Sequence, residues 1–501
     1  MQPIAYDQLV QKVRDISNAF WIASLLDWDQ ETYMPPRAAT VRGDQLAFIV
    51  GIHHERLTSD ELAGLLESCE KAGVDRNGDP TAATNVRETR RLHDRARKLP
   101  RALVEEIARV TTVAKNVWSE AKAANEFKRF APHLEQIVEL KRQVAEHVGY
   151  KDDIYDALLD EYEPGARTAE VQRVFEAVRR ELVPLVKAIA SAPRKPNTAL
   201  LEREAPTANQ REFNQWLAAA IGFDFDAGRI DVSAHPFCTG MSPADVRLTN
   251  RYDEHYLPKS IFGILHETGH GLYEQGLVAK NAGTPAASSV SLGIHESQSR
   301  MWENLVGRSR AFWQFAHPRL LQSFPALAGV SLDDWHFAIN TVRPSLIRVE
   351  ADEVTYNLHI MVRFDLERRL LSGKLAIRDV PAAWNAAYKD MLGIEPPTDR
   401  EGCLQDIHWS CGILGYFPTY ALGNLYAVQF FEAAKKALGD VNAMFARGEF
   451  KPLLDWLRTN IHHHGMRYRP GELVQHVTGQ ALSPAPYVEY LRAKFRPLYG
   501  L

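Results

Sequence analysis

The apolar positions of the chain recur mostly at helical spacing. Between residues 101 and 120 they follow one another at intervals of three and four residues, at Leu103, Ile107, Val110, Ala114 and Val117. A second stripe of this kind runs through Val171, Val174, Phe175, Val178 and Leu182. Side chains with a period near 3.6 residues share one face of an α-helix. The pattern therefore predicts a mainly α-helical protein.

Residues 85–147 are rich in Arg, Lys, Glu and Ala, and Pro100 and Pro132 are the predicted helix breaks within them. Helices that carry so much charge often form a lid or an antiparallel pair. The simpler interpretation is that they are ordinary core helices, each with one solvated face. The pattern leaves both interpretations open.

Strand patterns are few. The segments Arg229–Ser233 and Asp245–Thr249 alternate their side chains and are separated by a stretch that contains Pro, Gly and Ser. They are predicted to form a short hairpin. Because the chain has no repeat, low-complexity tract or shift in composition, residues 1–501 are predicted to form a single domain.

Composition narrows the class of protein. Apolar residues make up 45% and charged residues 24% of the chain, which are ordinary globular values. A net charge of −4 argues against nucleic acid as the main partner. The four cysteines form no CxxC pair, which indicates a reducing compartment. The amino terminus lacks the apolar region of a signal peptide, and no apolar run suits a membrane span, so a cytoplasmic protein is expected.

The strongest chemical pattern is His266-Glu267-Thr268-Gly269-His270. Two histidines four residues apart share one face of a helix and can bind one Zn²⁺, while the glutamate between them can act on bound water. Ser260, just upstream, is a predicted helix N-cap. The alternative is a helix whose two histidines are satisfied by hydrogen bonds in the core.

A catalytic zinc site needs a third protein ligand and one open position. The extended motif, with a third histidine six residues further on, is absent because position 276 is Gly. Glu296, 26 residues after His270, is the predicted third ligand. Glu274 is expected to support the ligands from behind, and His295 to be an adjacent pocket residue rather than a fourth ligand.

Peptide hydrolysis also needs groups that bind the substrate. His408 and Tyr420 lie in a segment rich in glycine and aromatic residues and are candidate donors to an oxyanion. A packed glycine-rich loop is the alternative. Arg247 and Arg348 are candidates for binding a terminal carboxylate, although each suits a structural ion pair as well. His235 is a further candidate for substrate binding, although, read singly, it is more typical of a structural role.

Two further clusters have simple interpretations. Glu350, Asp352 and Glu353 could supply substitute metal ligands, but a solvated or capped helix end is favoured. The run His462-His463-His464 is typical of polar loop groups, and a second metal site there is the minor alternative.

Several ordered motifs resemble those of the carboxypeptidase Taq family of metallocarboxypeptidases. They are Asp245-x-Arg247-x-Thr249, His266-Glu267-x-x-His270, His295-Glu296-Ser297-Gln298, Ser345-x-Ile347-Arg348 and Gly402-x-x-Gln405-Asp406-x-His408-Trp409. Matches near both ends, at Trp28-Asp29 and Asn460-Ile461-His462, extend the resemblance over essentially the whole chain. Five ordered motifs make it far more specific than the zinc motif alone.

The resemblance implies a mainly α-helical peptidase, similar in fold to neurolysin and angiotensin-converting enzyme. Two helical halves would flank a deep substrate cleft, with a small β-sheet near the active site. The implied activity is release of single amino acids, with broad specificity, from peptides that have a free carboxyl terminus. The resemblance also implies one zinc ion per chain, which cobalt can replace, and a cytoplasmic homodimer.

Site residues follow from the resemblance by position. The metal ligands would be His266, His270 and Glu296, with Glu267 as the general base. The segment Asp245–Thr249 would restrict the cleft to exopeptidase action, with Arg247 near the substrate terminus. The remaining residues that line the site would be Arg348, His408 and Tyr420.

Two other functions compete with this one. An oligopeptidase could cut internally, or remove dipeptides, within the same cleft. A helical binding or scaffold protein could hold a structural zinc, which would require a closed site with four ligands. The carboxypeptidase is the favoured function because three ligands and an adjacent base leave room for water.

Overall fold

The computed structural model describes residues 4–76 and 78–501. Within these residues the first ten α-helices are α1 Ile4–Thr32, α2 Ala39–Leu57, α3 Asp60–Lys71, α4 Pro80–Lys98, α5 Arg101–Ala124, α6 Phe127–Val148, α7 Tyr155–Tyr162, α8 Thr168–Ser191, α9 Thr207–Ala220 and α10 Pro258–Gly276. The remaining ten are α11 Leu292–Arg300, α12 Arg310–Ser323, α13 Leu332–Ile339, α14 Tyr356–Leu371, α15 Val380–Leu392, α16 Pro418–Leu438, α17 Val441–Ala446, α18 Lys451–Asn460, α19 Pro470–Thr478 and α20 Ala485–Tyr499. The prediction of a mainly α-helical protein is confirmed.

The predicted apolar stripes form the buried faces of α5 and α8. Every member of the α8 stripe is buried, as are Leu103, Val110 and Ala114 of α5. Pro100 separates α4 from α5 as expected. Pro132 does not break a helix and lies inside α6. The break comes earlier, at Asn125, whose left-handed backbone ends α5. Pro132 is the sixth residue of α6, so it removes one hydrogen bond of the second turn without ending the helix.

One small sheet lies beside these helices. Its strands are β1 Gly228–Val232, β2 Cys238–Ser242 and β3 Asp245–Asn250, in the spatial order β1-β3-β2. β2 and β3 are antiparallel, whereas β1 and β3 are parallel. The predicted hairpin between the first and third segments is therefore wrong. The stretch between them forms a strand of its own, and this strand makes the tight turn into β3.

The sheet lies between α1 and α10. Val246 and Leu248 of β3 are fully buried, and the chain approaches Leu248 so closely at Gly271 of α10 that a Cβ there would lie 2.9 Å from the Leu248 side chain. On the opposite face, the guanidinium of Arg247 stacks on the ring of Trp28 from α1, 4.3 Å from its centroid.

The helix that carries the histidine motif begins at Pro258 rather than at a serine cap. Proline suits the first helical position, since its fixed φ matches the helix and its missing N–H would have no helical partner. The hydroxyl of Ser260 donates a 2.6 Å hydrogen bond to Gln210 and caps nothing, so its predicted N-cap role is wrong.

Buried apolar residues form two clusters in the described chain. The large one extends from Leu103 to Tyr499 and surrounds the site described below. The small one joins α1, α3 and α4 with the turn between the last two, through residues from Tyr6 to Val86. No helix in residues 4–76 or 78–501 is long and apolar enough to cross a membrane.

Candidate metal centre and active site

The histidine motif lies in the middle of α10. The rings of His266 and His270 are neighbours, with centroids 4.9 Å apart and planes at 83°. This is the geometry expected of side chains four residues apart on one helical face. Glu267, between them in sequence, is only 6% exposed.

The helix α11 brings Glu296 to these histidines. Its first turn is capped by Ser291, whose hydroxyl accepts a 3.0 Å hydrogen bond from the amide of Ile294. Two glycines allow the neighbouring helices to approach. A Cβ at Gly269 of α10 would lie 2.6 Å from the backbone of α11, and one at Gly423 of α16 would lie 2.6 Å from the Glu296 side chain. Glycine at the fourth position of the histidine motif therefore helps to bring Glu296 within reach.

His266, His270 and Glu296 converge as the sequence predicts. Their nearest ligand atoms all lie within 4.8 Å of one another. Glu296 Oε2 lies 3.7 Å from His266 Nε2 and 3.5 Å from His270 Nε2. A tetrahedral zinc site with bonds of about 2.0–2.1 Å has ligand–ligand edges of about 3.3 Å. The donors and their spacing thus fit a metal ion, and this is the one such group of His, Cys, Asp or Glu in residues 4–76 and 78–501.

The outer nitrogen of each imidazole is already occupied. His266 Nδ1 lies 2.9 Å from Glu303 Oε2. His270 Nδ1 lies 2.5 Å from His295 Nδ1, and the other nitrogen of His295 lies 2.7 Å from Glu274. Both contacts are satisfied when each ligand imidazole donates through Nδ1, which leaves its Nε2 lone pair facing Glu296. Glu274 and His295 thus lie behind the ligands, where they were predicted.

Glu303 and Arg300 were not predicted from the sequence. Arg300 donates to Glu296 Oε1 at 2.6 Å and to Glu303 at 3.2 Å, and Arg308 also donates to Glu303. Burial opposes ionisation of Glu296, but Arg300 and the imidazoles outweigh it and lower the pKa of this carboxyl. A detectable signal was the seven-residue spacing of Glu296 and Glu303, about two helical turns. The segment Met301–Val306 is π-helical, however, which no periodicity indicated.

Glu267 differs from these carboxylates because no lysine or arginine in the described part of the chain pairs with it. Burial is the largest effect and, with the charges of Glu296 and Glu303, raises the pKa of Glu267 to about 7, although His266 opposes the shift. β2 runs beside the helix that carries Glu267, since a Cβ at Gly240 of this strand would lie 2.7 Å from the carboxylate of Glu274 on α10.

A second charged cluster is assembled around Asp406. Arg348 donates to Asp406 Oδ1 at 2.9 Å, and Arg363 of α14 approaches Asp406 Oδ2 at 2.7 Å. Burial works against the ionised carboxyl, but the two guanidinium groups hold the pKa of Asp406 well below its usual range. Arg348 is 6% exposed and also donates to the hydroxyl of Tyr356.

The predicted oxyanion donors lie between the two clusters. His408 Nε2 and the hydroxyl of Tyr420 are 3.4 Å apart, and Arg348 lies 5.2 Å from the centroid of the Tyr420 ring. Tyr416 packs on Tyr420 with centroids 5.2 Å apart. Burial and then the charge of Glu296 raise the pKa of Tyr416 to about 12, so this hydroxyl stays protonated and can donate. The sequence indicated the segment but did not single out Tyr416.

Comparison with known proteins places nearly the whole chain in one family. The sequence profile of the family described as carboxypeptidase Taq (M32) metallopeptidase matches residues 6–495. The chain belongs to this family. Thermostable carboxypeptidase 1 of Thermus thermophilus is 45% identical over 505 residues, covering 99% of each chain. Carboxypeptidase 1 of Bacillus subtilis is 36% identical over 494 residues, covering 98% of each.

The same relationship is seen in solved structures. The crystal structure of the M32 carboxypeptidase from Deinococcus radiodurans R1 matches with a TM-score of 0.97 and 41% identity over 100% of both chains. The chain is therefore a metallocarboxypeptidase, a hydrolase of the carboxypeptidase Taq family, and the family resemblance inferred from the motifs is confirmed. A metal ion belongs to this family's chemistry, and the His266, His270 and Glu296 group could hold one.

In this carboxypeptidase the side chains of Arg247 and Thr249, in the segment Asp245–Thr249, form hydrogen bonds and ion pairs within the protein. Arg247 makes a two-pronged ion pair with Asp245, at 2.9 and 3.1 Å. Thr249 is fully buried, and its hydroxyl oxygen accepts hydrogen bonds from the Ser233 hydroxyl and the Phe237 amide. Thr249 thus holds the loop that carries His235. That imidazole is exposed to solvent, although the surrounding protein and the charges of Arg251 and Arg348 lower its pKa.

The remaining clusters of this carboxypeptidase have structural roles. Asp352 accepts hydrogen bonds from the amides of Val354 and Thr355 at the start of α14, as the capped helix end predicted. Glu353 pairs with Lys494 at 2.6 Å. His462 is buried, and its Nε2 lies 2.9 Å from the Gln298 side chain, so the histidine run forms no second metal group among the described residues.

Proposed function

We propose that this metallocarboxypeptidase is a zinc enzyme that removes single residues from the free carboxyl end of peptides, with broad specificity. The observation that carries the proposal is the convergence of His266, His270 and Glu296 within 4.8 Å, beside a buried and unpaired Glu267. Two imidazoles and one carboxylate are a common donor set of catalytic zinc sites, and three ligands leave a position open.

The chain's own residues divide the reaction between them. A zinc ion bound by the three donors would polarise the scissile carbonyl and make water more acidic. Glu267 would accept the proton of the attacking water and deliver it to the leaving amine, a task that a carboxyl with a pKa near neutrality performs well. The hydroxyl groups of Tyr416 and Tyr420, with His408, would donate to the developing oxyanion.

The cationic side of the site supports an exopeptidase rather than an endopeptidase. Two buried arginines, Arg348 and Arg363, share the single carboxylate of Asp406, so one positive charge remains uncompensated beside Tyr420. A free carboxylate at the end of a peptide would balance this charge. Arg247 contributes less in this proposal, because Asp245 already neutralises it.

The test compares two blocked dipeptides that differ only at the carboxyl end, one a free acid and the other an amide. We expect the free acid to be cleaved at least about 100-fold faster, as a buried cation left without its partner is costly. Equal rates would overturn carboxylate recognition. Mass analysis of a mid-length peptide supplies the second arm. Ladders of single residues support the proposal, whereas internal fragments or released dipeptides would show an oligopeptidase. The homodimer and the cytoplasmic location stay predictions.

A further inference from the structure

Arg251 lies directly after β3, at the end of the sheet that faces the loop of His235. The antiparallel pairing of β2 with β3 continues past the ladder, since the amide of Thr249 donates to the carbonyl of Phe237 at 2.8 Å. The carbonyl of Asn250, the residue before Arg251, accepts a 3.2 Å hydrogen bond from the amide of Ser233, two residues before His235, so Arg251 begins beside the loop of His235. A Cβ at Gly263 of α10 would lie 2.8 Å from Asn250 Oδ1, so Arg251 leaves the sheet beside the turn of α10 that precedes His266.

The guanidinium of Arg251 has no counter-ion. Its side chain is partly buried, yet the described chain offers it neither a hydrogen bond nor an ion pair. The other arginines considered above are different, because Arg247 is neutralised by Asp245 and Arg348 shares Asp406. A partly buried guanidinium that the protein leaves unpaired is available to an anion from outside.

Other cations approach the same place from separate elements. Burial and the charges of Arg251, Arg348 and Lys122 of α5 lower the pKa of His235, while Glu31 opposes them. Lys122 Nζ donates to the carbonyl oxygen of Gln405 at 2.8 Å and has no carboxylate within ion-pair distance in the described residues. Three segments that are far apart in sequence therefore place positive charge around one solvent-accessible position.

We propose that Arg251 binds the α-carboxylate of the substrate's last residue, with Arg348 and Lys122 adding positive charge around it. The proposal rests on the proposed function and deepens it, since it names the residue that recognises the free carboxyl end. Arg251 would form the two-pronged contact, because Arg348 already donates through Nε to Asp406 and through Nη1 to Tyr356.

The experiment uses Arg251→Ala and Arg251→Lys in the metal-loaded full chain. The substrates are a blocked dipeptide that ends in alanine and its carboxyl amide, so that no acidic side chain can replace the α-carboxylate. For Arg251→Ala we expect kcat/KM on the free acid to fall about 50-fold while the rate on the amide stays within about threefold. Arg251→Lys should lose about tenfold, since lysine keeps the charge but not the paired hydrogen bonds.

Arg211→Ala is the matched control, because this exposed arginine stacks on Tyr252, the neighbour of Arg251, and should leave both rates unchanged. Unchanged metal content shows that the Arg251 variants retain the folded site. If the wild type prefers the free acid and Arg251→Ala keeps that preference, the inference about Arg251 is wrong. If the wild type itself shows no preference, the proposed function fails before the variants are considered.

Discussion

Two buried charge clusters face each other across the tyrosines of this carboxypeptidase, and they are built with opposite signs. The metal centre gathers three carboxylates, Glu267, Glu296 and Glu303, and only Glu296 and Glu303 are paired with arginine. The arginine centre gathers two guanidinium groups around Asp406 alone. The metal centre therefore has an excess of negative charge, and the arginine centre has an excess of positive charge.

The difference shows what each cluster is prepared to receive. Buried charges are costly unless they are paired, so a residual charge in a structured site is best explained by a partner that arrives later. The metal centre presents imidazole and carboxylate lone pairs, which suit a cation. The arginine centre and Arg251 present N–H donors, which suit a carboxylate. A peptide end placed between the two would have its carbonyl near one cluster and its terminal charge near the other.

The largest expected effect comes from Glu267→Gln, which removes the unpaired carboxylate of the metal centre. We expect kcat to fall by about 10³- to 10⁴-fold, because glutamine cannot accept and release a proton. Metal content should be unchanged, since Glu267 is not among the three grouped donors. Steady-state kinetics and metal analysis measure both, with the exposed Glu105→Gln as control. A variant that keeps most of its turnover would show that another group is the base.

The second largest effect is expected from a change in the arginine centre. Asp406→Asn removes the only carboxylate shared by Arg348 and Arg363, so we expect the free energy of unfolding to drop by about 3–5 kcal/mol. Denaturant unfolding measures the change, and metal content should not move. The exposed Asp390→Asn, which removes a surface pair with Arg179, should cost no more than about 1 kcal/mol. A similar small cost for Asp406→Asn would mean that the arginine centre does not depend on its carboxylate.

A third prediction concerns Glu367, a buried carboxyl that lies close to Arg363 but is not one of the three residues of the arginine centre. Glu367 of α14 accepts hydrogen bonds from the hydroxyl of Tyr155, the indole of Trp409 and the amide of Gly415. Burial, the largest effect, raises the pKa of Glu367 to about 7 despite these donors. The folded form therefore holds a proton that the unfolded form releases near its ordinary pKa of 4.5. Stability from this group is present below pH 4.5 and is lost as the pH rises to about 7, by roughly 3 kcal/mol.

Glu367→Gln should remove that dependence. Urea unfolding at pH 5 and pH 8 should show a smaller drop in stability for the variant than for the wild type. The carboxyl groups of Glu163 and Glu267, whose pKa values burial also raises to about 7, are untouched and contribute to the slope that remains. Equal slopes in the two proteins would mean that Glu367 is ionised throughout this range.

The two clusters also differ in how far the sequence predicts them. His266 and His270 lie one helical turn apart, so local periodicity alone places them together. Glu296 follows within 26 residues of His270 and could be inferred from its residue type and from the glycines between. The arginine centre joins Arg348, Arg363 and Asp406 from separate segments, and no local pattern states that they meet. The motifs singled out Arg348 and Asp406 but not Arg363, and the ion pair left open as the alternative for Arg348 is present in the structure.

The fold was also predicted correctly where the signal is local in sequence, and wrongly where it depends on contacts between distant segments. Apolar stripes predicted the helices correctly because each stripe reports its own helix. The predicted hairpin was wrong because pairing depends on which strands meet, and Cys238–Ser242, with a glycine at its centre, gave little alternation to reveal a strand. Arg251 escaped notice for a related reason, since an unpaired charge can be recognised only when all its neighbours are known.

The smallest effect tests the outer layer of the metal centre. Glu303→Ala removes the carboxylate that accepts from His266 Nδ1 and leaves the three grouped donors in place. We expect the metal dissociation constant to rise by about 10- to 100-fold, since groups that orient a ligand imidazole typically contribute this much. Glu303→Gln keeps an acceptor and should lose less. Competition with a chelator at fixed pH measures the affinity without reference to turnover.

Asp406→Asn is the matched control for this measurement, because it disturbs a buried carboxylate of the other cluster. If the two clusters are independent, only the Glu303 variants lose metal affinity and only the Asp406 variant alters carboxylate recognition. Equal losses of metal affinity from both sites would join them into one electrostatic unit through Tyr356, whose ring lies 4.3 Å from Arg300 and whose hydroxyl accepts from Arg348. The opposite charges of the two clusters would then stabilise each other, and neither excess charge would depend on the metal ion or on the substrate carboxylate.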